Sequence, residues 1–193
     1  MRVGVLAMQG AFIEHEKTLQ SCGCDVIQVR KKEQLKNLNG LIIPGGESTT
    51  IGKLLFEFDL HEDIKKLAAD GMPVFGTCAG LIVMAKEIEA SNQTRLGLMD
   101  ITAKRNAFGR QVDSFEAELQ IEDIGGEPFK AVFIRAPYIS KTGSDIKILS
   151  THQNKIVFAR QRNLLVSAFH PELTDDLRIH QYFLQMVEEY KQS

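Results

Sequence analysis

The chain has 193 residues, 44% hydrophobic and 25% charged, enough for one domain with a substantial core. Its 23 basic residues against 25 acidic ones leave a net charge of −2, which gives no electrostatic case for nucleic acid or an anionic membrane as partner. No apolar run approaches the ~20 residues needed to span a bilayer, and the N-terminus opens directly on a strand-like segment rather than a signal sequence, so a cytoplasmic protein is expected.

Taken in order, residues 3–7 read as an apolar strand, followed across Gln9-Gly10 by a helix over 12–20 and a second strand over 26–29. Residues 31–38 read as a short helix or turn, and 41–43 as a third strand ending at Pro44-Gly45-Gly46. Residues 48–58 form a predicted helix with Ser48 or Thr49 as its cap, and 61–69 another that Gly71 stops. A short buried strand, 74–75, ends at Gly76, and a helix is predicted over 80–88. Alternating strands and helices with continuous apolar strands imply a parallel sheet covered on both faces, hence a doubly wound α/β layout.

The second half changes character. Residues 100–104, 115–121, 131–134, 146–150, 156–160 and 164–168 all read as strands with few helices between them, which predicts antiparallel pairs. A final helix is predicted over 174–190. No linker or repeat interrupts the chain, so residues 1–193 are expected to form a single domain with a mixed, mainly parallel central sheet.

Cysteines stand at 22, 24 and 78. An odd count in a chain without a signal sequence argues against a disulfide framework, and Cys22-Gly23-Cys24 lacks a second ligand pair for zinc. Cys78 is the cysteine to explain. It lies in Gly76-Thr77-Cys78-Ala79-Gly80, a glycine-x-nucleophile-x-glycine run between a predicted strand and a predicted helix. The glycines suit a sharp, crowded turn, the helix N-terminus favours a thiolate, and the Ala79 amide can donate to an oxyanion. A buried, inert cysteine beside a packing glycine is the bland alternative.

The second element is Ala168-Phe169-His170-Pro171-Glu172 at a strand end. In extended backbone, residues i and i+2 project to one side, so Glu172 can hold His170 by one ring nitrogen and leave the other for the Cys78 proton. A surface turn has the same appearance. The third element, Pro44-Gly45-Gly46-Glu47-Ser48-Thr49-Thr50, brings two backbone amides to a strand end without the spacing of a phosphate-binding loop. His15, His61, His152 and His180 are read as surface, interfacial or turn residues, and Met84, Phe56, Phe58 and Phe75 as core.

The sequence resembles the class I, triad-type glutamine amidotransferases over essentially its whole length. Within them it is similar to the glutaminase branch of pyridoxal 5′-phosphate synthase. The resemblance rests on Gly4-Val5-Leu6-Ala7-Met8-Gln9-Gly10, the Pro44-to-Thr50 run and the Cys78 motif. It rests also on Arg105-Asn106-Ala107-Phe108-Gly109-Arg110-Gln111, Phe133-Ile134-Arg135-Ala136-Pro137 and Phe169-His170-Pro171-Glu172-Leu173-Thr174.

The resemblance implies an amidotransferase-like fold and a glutaminase with Cys78, His170 and Glu172 as a catalytic triad and the Gly46 and Ala79 amides as oxyanion hole. It also implies glutamine contacts from Gly46, Glu47, Ser48, Arg105, Ile134 and Arg135. Either Arg105 or Arg135 suits the substrate carboxylate. It implies no cofactor and no metal, and a hetero-oligomer in which a synthase (lyase) subunit receives the ammonia. Two alternatives remain at this point: a free-standing hydrolase on the same scaffold, and a binding subunit with a vestigial triad.

Overall fold

The computed structural model describes residues 1–105 and 114–192. The first half follows the expected alternation: β1 (Arg2–Leu6), α1 (Phe12–Ser21), β2 (Asp25–Val29), β3 (Gly40–Ile43), α2 (Ser48–Glu57), α3 (His61–Ala69), β4 (Val74–Thr77) and α4 (Ala79–Met84). The second half runs β5 (Ala85–Ile88), β6 (Met99–Lys104), β7 (Ser114–Leu119), β8 (Phe129–Ile134), β9 (Tyr138–Thr142), β10 (Lys147–His152), β11 (Lys155–Gln161) and β12 (Leu164–Ser167), closed by α5 (Arg178–Gln192).

Strands β2-β1-β3-β4-β12 lie side by side and parallel. The sheet then continues through β11, β9, β6 and β5. The β12–β11, β11–β9 and β9–β6 pairs are antiparallel, and β6–β5 is parallel again. β10 pairs with β11, while β7 and β8 form a separate antiparallel ribbon. The sheet is therefore mixed, with its parallel block built from the first half and one strand of the second.

Alternation along β4 shows that both faces are covered. Phe75 packs edge-on to His180 of α5 and His15 of α1, with ring centroids at 6.3 and 6.5 Å. Thr77, two residues on, meets His15 on the same face. Gly76 faces the other way, where a Cβ would lie 2.7 Å from Gly80 and the Met84 sulfur of α4. Helices α1 and α5 thus cover one face and α4 the other.

Several expectations are corrected. The helix expected over 80–88 ends at Met84, and Ala85–Ile88 is strand β5. Pairing of Ala85 with Met99 and Ile88 with Ala103 outweighs the helix propensity of the Ala-Lys-Glu segment. Strand β9 has no counterpart among the predicted elements: it is short, polar at its end and starts just after Pro137. The last helix begins at Arg178 rather than 174, because Pro171–Leu173 forms a 3₁₀ turn and Asp176 accepts the Arg178 amide. Phe56 and Phe58 are not core: they are 43% and 49% exposed, and Phe56 stacks on His61.

The core centres on six fully buried phenylalanines, Phe75, Phe129, Phe133, Phe158, Phe169 and Phe183. Phe169 touches three of the others, with ring centroids 5.7 Å from each of Phe129, Phe133 and Phe158. Burying such a ring is worth ~1.5–3 kcal/mol, and here it also fixes the backbone immediately before His170. Among the described residues no helix is long and apolar enough to cross a membrane.

Close backbone approach sets the geometry of β3, β4 and α4. A Cβ on Gly80 would stand 2.1 Å from the Ile43 carbonyl oxygen. Gly80→Ala should gain up to ~1 kcal/mol of helix propensity but lose more to a backbone clash, since overpacking costs ~1–3 kcal/mol. The expected outcome is a lower urea midpoint at unchanged m-value; an unchanged or higher midpoint would refute the close-approach argument.

Candidate active site

β3, β4 and β12 are neighbours in the parallel block, so their C-terminal ends lie together. They deliver the Gly45-Gly46 loop, Cys78 and His170 respectively. β8 adds Ile134 and Arg135 from the side, tied in by the His170 amide, which donates to the Val132 carbonyl at 2.8 Å.

Cys78 occupies the turn between β4 and α4 with φ 50° and ψ −101°. A side chain there is strained by ~1–3 kcal/mol. The strain is held by the Cys78 amide, which donates to the Ser167 carbonyl at 2.8 Å. Cys78 is 8% exposed, and its Sγ lies 3.8 Å from the Ile134 carbonyl oxygen. Arg135, with φ 42°, is a second non-glycine residue held in left-handed backbone at the cleft.

His170 stands next to Cys78 and 2.7 Å, Nδ1 to Oε1, from Glu172. Burial alone lowers the imidazole pKa, but hydrogen bonds and charge from Cys78 and Glu172 outweigh it and raise it to about 10. A proton leaving the Cys78 thiol therefore has a favourable resting place on the ring. The Glu172 side chain is fully buried. Burial raises its pKa, but His15, His170 and its own backbone amide lower it further, leaving it below the ordinary carboxylate value.

The Gly45-Gly46 loop is pinned on three sides. The Gly45 amide donates to Thr77 Oγ1 at 3.0 Å, its carbonyl accepts from the Ala11 amide at 3.0 Å, and the Glu47 amide donates to Gln9 Oε1 at 2.7 Å. Gly45 has to be glycine because a Cβ would stand 2.4 Å from His170 Cε1. Glu47, and not Ser48 or Thr49, caps α2: its carboxylate accepts from the Thr49 and Thr50 amides at 3.1 and 2.7 Å. Ser48 is buried instead and accepts from Gln93 Nε2 at 3.0 Å. Gln93 Oε1 in turn accepts from Arg105 Nη1 at 3.0 Å, and Arg105 Nη2 lies 3.8 Å from Glu47.

These residues line a cleft of about 480 Å³ that contains Gly46, Glu47, Ser48, Cys78, Ala79, Arg105, Ile134, Arg135 and His170 together. Glu172 lies behind His170, outside the lining. Sequence reading missed Gln9, which also lines the cleft, and Gln93, which joins Ser48 to Arg105. The 106–111 part of the motif that begins at Arg105 lies outside the described residues. Among the described residues, no group of three or more His, Cys, Asp and Glu is placed to hold a metal ion.

A cysteine, a histidine and a carboxylate at strand ends occur on several scaffolds. Residues 5–189 match the SNO glutamine amidotransferase family. The chain belongs to that family. It is 63% identical over 185 residues to a protein of Pelotomaculum thermopropionicum named pyridoxal 5′-phosphate synthase subunit PdxT, covering 96% of this chain and 94% of the relative. A protein of the same name from Geobacillus thermodenitrificans is 52% identical over 191 residues, covering 99% and 97%. A crystal structure described as a glutamine amidotransferase superposes with a TM-score of 0.92 at 48% identity, over 96% of this chain and 98% of that one. The fold extends further: a chain in the structure of PurLQS from Thermotoga maritima gives 0.69 at 14% identity, over 95% of this chain and 97% of that one.

Two of the histidines read as peripheral sit inside this amidotransferase. His15 and His180 are both fully buried, 2.9 Å apart between Nδ1 and Nε2, directly behind Glu172. Burial lowers both pKa values, that of His180 to about 3.

Two outcomes follow. Among variants lacking the thiol, Cys78→Gly should be more stable than Cys78→Ala by ~1 kcal/mol, because glycine tolerates the left-handed turn; equal denaturation midpoints would mean the turn is unstrained. Because His180 binds its proton more weakly folded than unfolded, its contribution is complete above pH ~6.5 and is lost as pH falls towards about 3. Thermal melts between pH 6.5 and 4 should therefore fall less steeply for His180→Leu than for the native chain; parallel slopes would contradict the depressed pKa.

Proposed function

We propose that this amidotransferase hydrolyses L-glutamine to L-glutamate and ammonia, with residues 1–193 acting as one glutaminase domain. The ammonia passes to the synthase subunit of pyridoxal 5′-phosphate synthase, within a cytoplasmic hetero-oligomer. The observation that carries the reading is the Cys78–His170–Glu172 alignment at the ends of β4 and β12, in a chain so similar to proteins named as subunits of that synthase.

In this mechanism the Cys78 sulfur attacks the side-chain amide carbon of glutamine while its proton moves to His170. The tetrahedral oxyanion is met by the Gly46 and Ala79 amides. On collapse the carbon–nitrogen bond breaks, His170 gives its proton to the departing ammonia, and a glutamyl thioester remains on Cys78. Water then attacks the thioester, with His170 accepting its proton and returning it to the sulfur as glutamate leaves. Glu172 keeps the imidazole oriented throughout.

Glu47, Ser48, Ile134 and one of Arg105 and Arg135 hold the amino-acid end of the substrate. The counter-charge logic supports this: an α-carboxylate needs a guanidinium and an α-ammonium needs a carboxylate, and both lie on the cleft wall. Arg105 sits next to Glu47, so a single zwitterion can bridge the two.

The test is glutamate release from glutamine, with and without a pyridoxal 5′-phosphate synthase subunit. Release should be strong with the synthase, absent for Cys78→Ala, and lowered ~10²–10⁴-fold in kcat for Glu172→Gln. Release that persists in Cys78→Ala would refute the nucleophile assignment. Release indifferent to the synthase would point to a free-standing hydrolase.

A further inference from the structure

The proposed mechanism uses one oxygen of Glu172. The other, Oε2, is fully buried and has no hydrogen-bond partner of good geometry among the described residues. His15 Nε2 stands 3.3 Å from it. A buried carboxylate oxygen facing an imidazole nitrogen from a different element needs an explanation. The same nitrogen lies 3.1 Å from Thr77 Oγ1, which holds the Gly45 amide. His15 therefore touches both supports of the site, the carboxylate behind His170 and the hydroxyl beneath the glycine loop.

We infer that His15 is a positioning residue for glutamine hydrolysis: its Nε2 pairs with Thr77 Oγ1 and packs 3.3 Å from Glu172 Oε2, a close contact that fixes the carboxylate so that Oε1 stays on His170 Nδ1. This inference rests on the triad assignment proposed above.

The tautomer follows from counting donors and acceptors. The charged and titratable groups around His15 are Glu172 and His170 on the β12 side, His180 on α5 and Glu14 on its own helix. Burial keeps His15 and His180 neutral, so each carries one ring N–H. With the His15 proton on Nε2, that N–H donates to Thr77 Oγ1 beside the carboxylate, while Nδ1 accepts from His180 Nε2–H at 2.9 Å. Of the four ring nitrogens of this pair, His180 Nδ1 is then the one left without a partner among the described residues, as a lone pair. With the proton on His15 Nδ1 instead, a lone pair would face the Glu172 carboxylate and His180 would bury an orphaned N–H. A buried acceptor without a partner is the commoner and milder fault, so the first arrangement holds.

Two neutral imidazoles in series thus extend the carboxylate support away from the cleft: His180 orients His15, and His15 orients Glu172. His15 does not line the cleft. Its loss removes no contact to glutamine and should act mainly on the chemical step.

The experiment compares His15→Asn and His15→Gln with the native chain in the complex with the synthase subunit, with Cys78→Ala as the blank. Both substitutes are buried amides, but only glutamine extends far enough to place an N–H where Nε2 stood. The expected result for His15→Asn is a kcat ~10–100-fold lower, an unchanged KM for glutamine, and a shifted acid limb of kcat against pH. His15→Gln should stay within a few-fold of the native kcat. Equal kcat and pH profiles for native, Asn and Gln forms, with Cys78→Ala silent, would overturn the role of His15 and leave the triad standing. An active Cys78→Ala would overturn both. Nitrogen-15 spectra of histidine-labelled native protein give a reading that needs no folded variant: Nε2–H on His15 supports the inference, and Nδ1–H overturns it.

Discussion

The backbone at Cys78 is the constraint on which the rest of the site depends. A thiol lifted clear of the strand ends requires a turn between β4 and α4 too sharp for ordinary dihedrals, and Cys78 accepts left-handed backbone to make it. That conformation persists because its surroundings over-determine it. Ser167 in β12 accepts the Cys78 amide, Gly76 lets Gly80 and Met84 close in, and Gly80 lets α4 rest on the Ile43 carbonyl. Three adjacent strands thus share the work of holding one residue. The glycine loop after β3 is placed by the same contacts, since Gly45 fits between the Cys78 and His170 side chains only without a Cβ.

Around this turn the charges are arranged in depth rather than on a surface. His170 lies between the thiol and the Glu172 carboxylate, which raises its proton affinity although burial opposes it. The carboxylate tolerates complete burial because His170, His15 and its own backbone amide all stabilise its negative charge. The cleft wall opposite carries a second, more exposed set, with Arg105 linked to Ser48 through Gln93 and lying beside Glu47. The inner set suits proton movement and the outer set suits a zwitterionic ligand.

Much of this was legible in the sequence, for physical reasons. Gly76-Thr77-Cys78-Ala79-Gly80 is a local pattern whose geometry follows from spacing, and continuous apolar strands announce a sheet covered on both faces. His170 and Glu172 do meet, but through the 3₁₀ turn over Pro171–Leu173 rather than the extended backbone expected of them. What sequence reading missed depends on contacts between distant segments. His15 sits in an amphipathic helix next to Glu14, a setting that suggests solvent, and only the packing of α1 and α5 on the sheet buries it against His180. Phe56 and Phe58 have core chemistry, yet Phe56 on the last turn of α2 and Phe58 just past its end both face solvent. Residues 85–88 carry helix-favouring Ala, Lys and Glu, and they become a strand because β6 offers a pairing edge. The cap of α2 was displaced by one position, since an ionised Glu47 competes well with serine and threonine for two orphan amides.

The pairing of β4 with β12 has a consequence for how the molecule comes to exist. Val74 lies opposite Leu164 and Thr77 opposite Ser167, so the two strands that carry the cysteine and the histidine are joined by the whole antiparallel half of the chain. Loop closure over such a separation is slow, and parallel partners gain no early local contacts. During synthesis, β1 to β4 emerge first and leave one edge of β4 unpaired until β12 arrives. The acceptor for the Cys78 amide, Ser167, arrives on that same late strand. Completion of the central sheet and assembly of the Cys78–His170–Glu172 cluster are therefore the same folding event, and a growing chain does not bring the Cys78 thiol to His170 before its fold is closed.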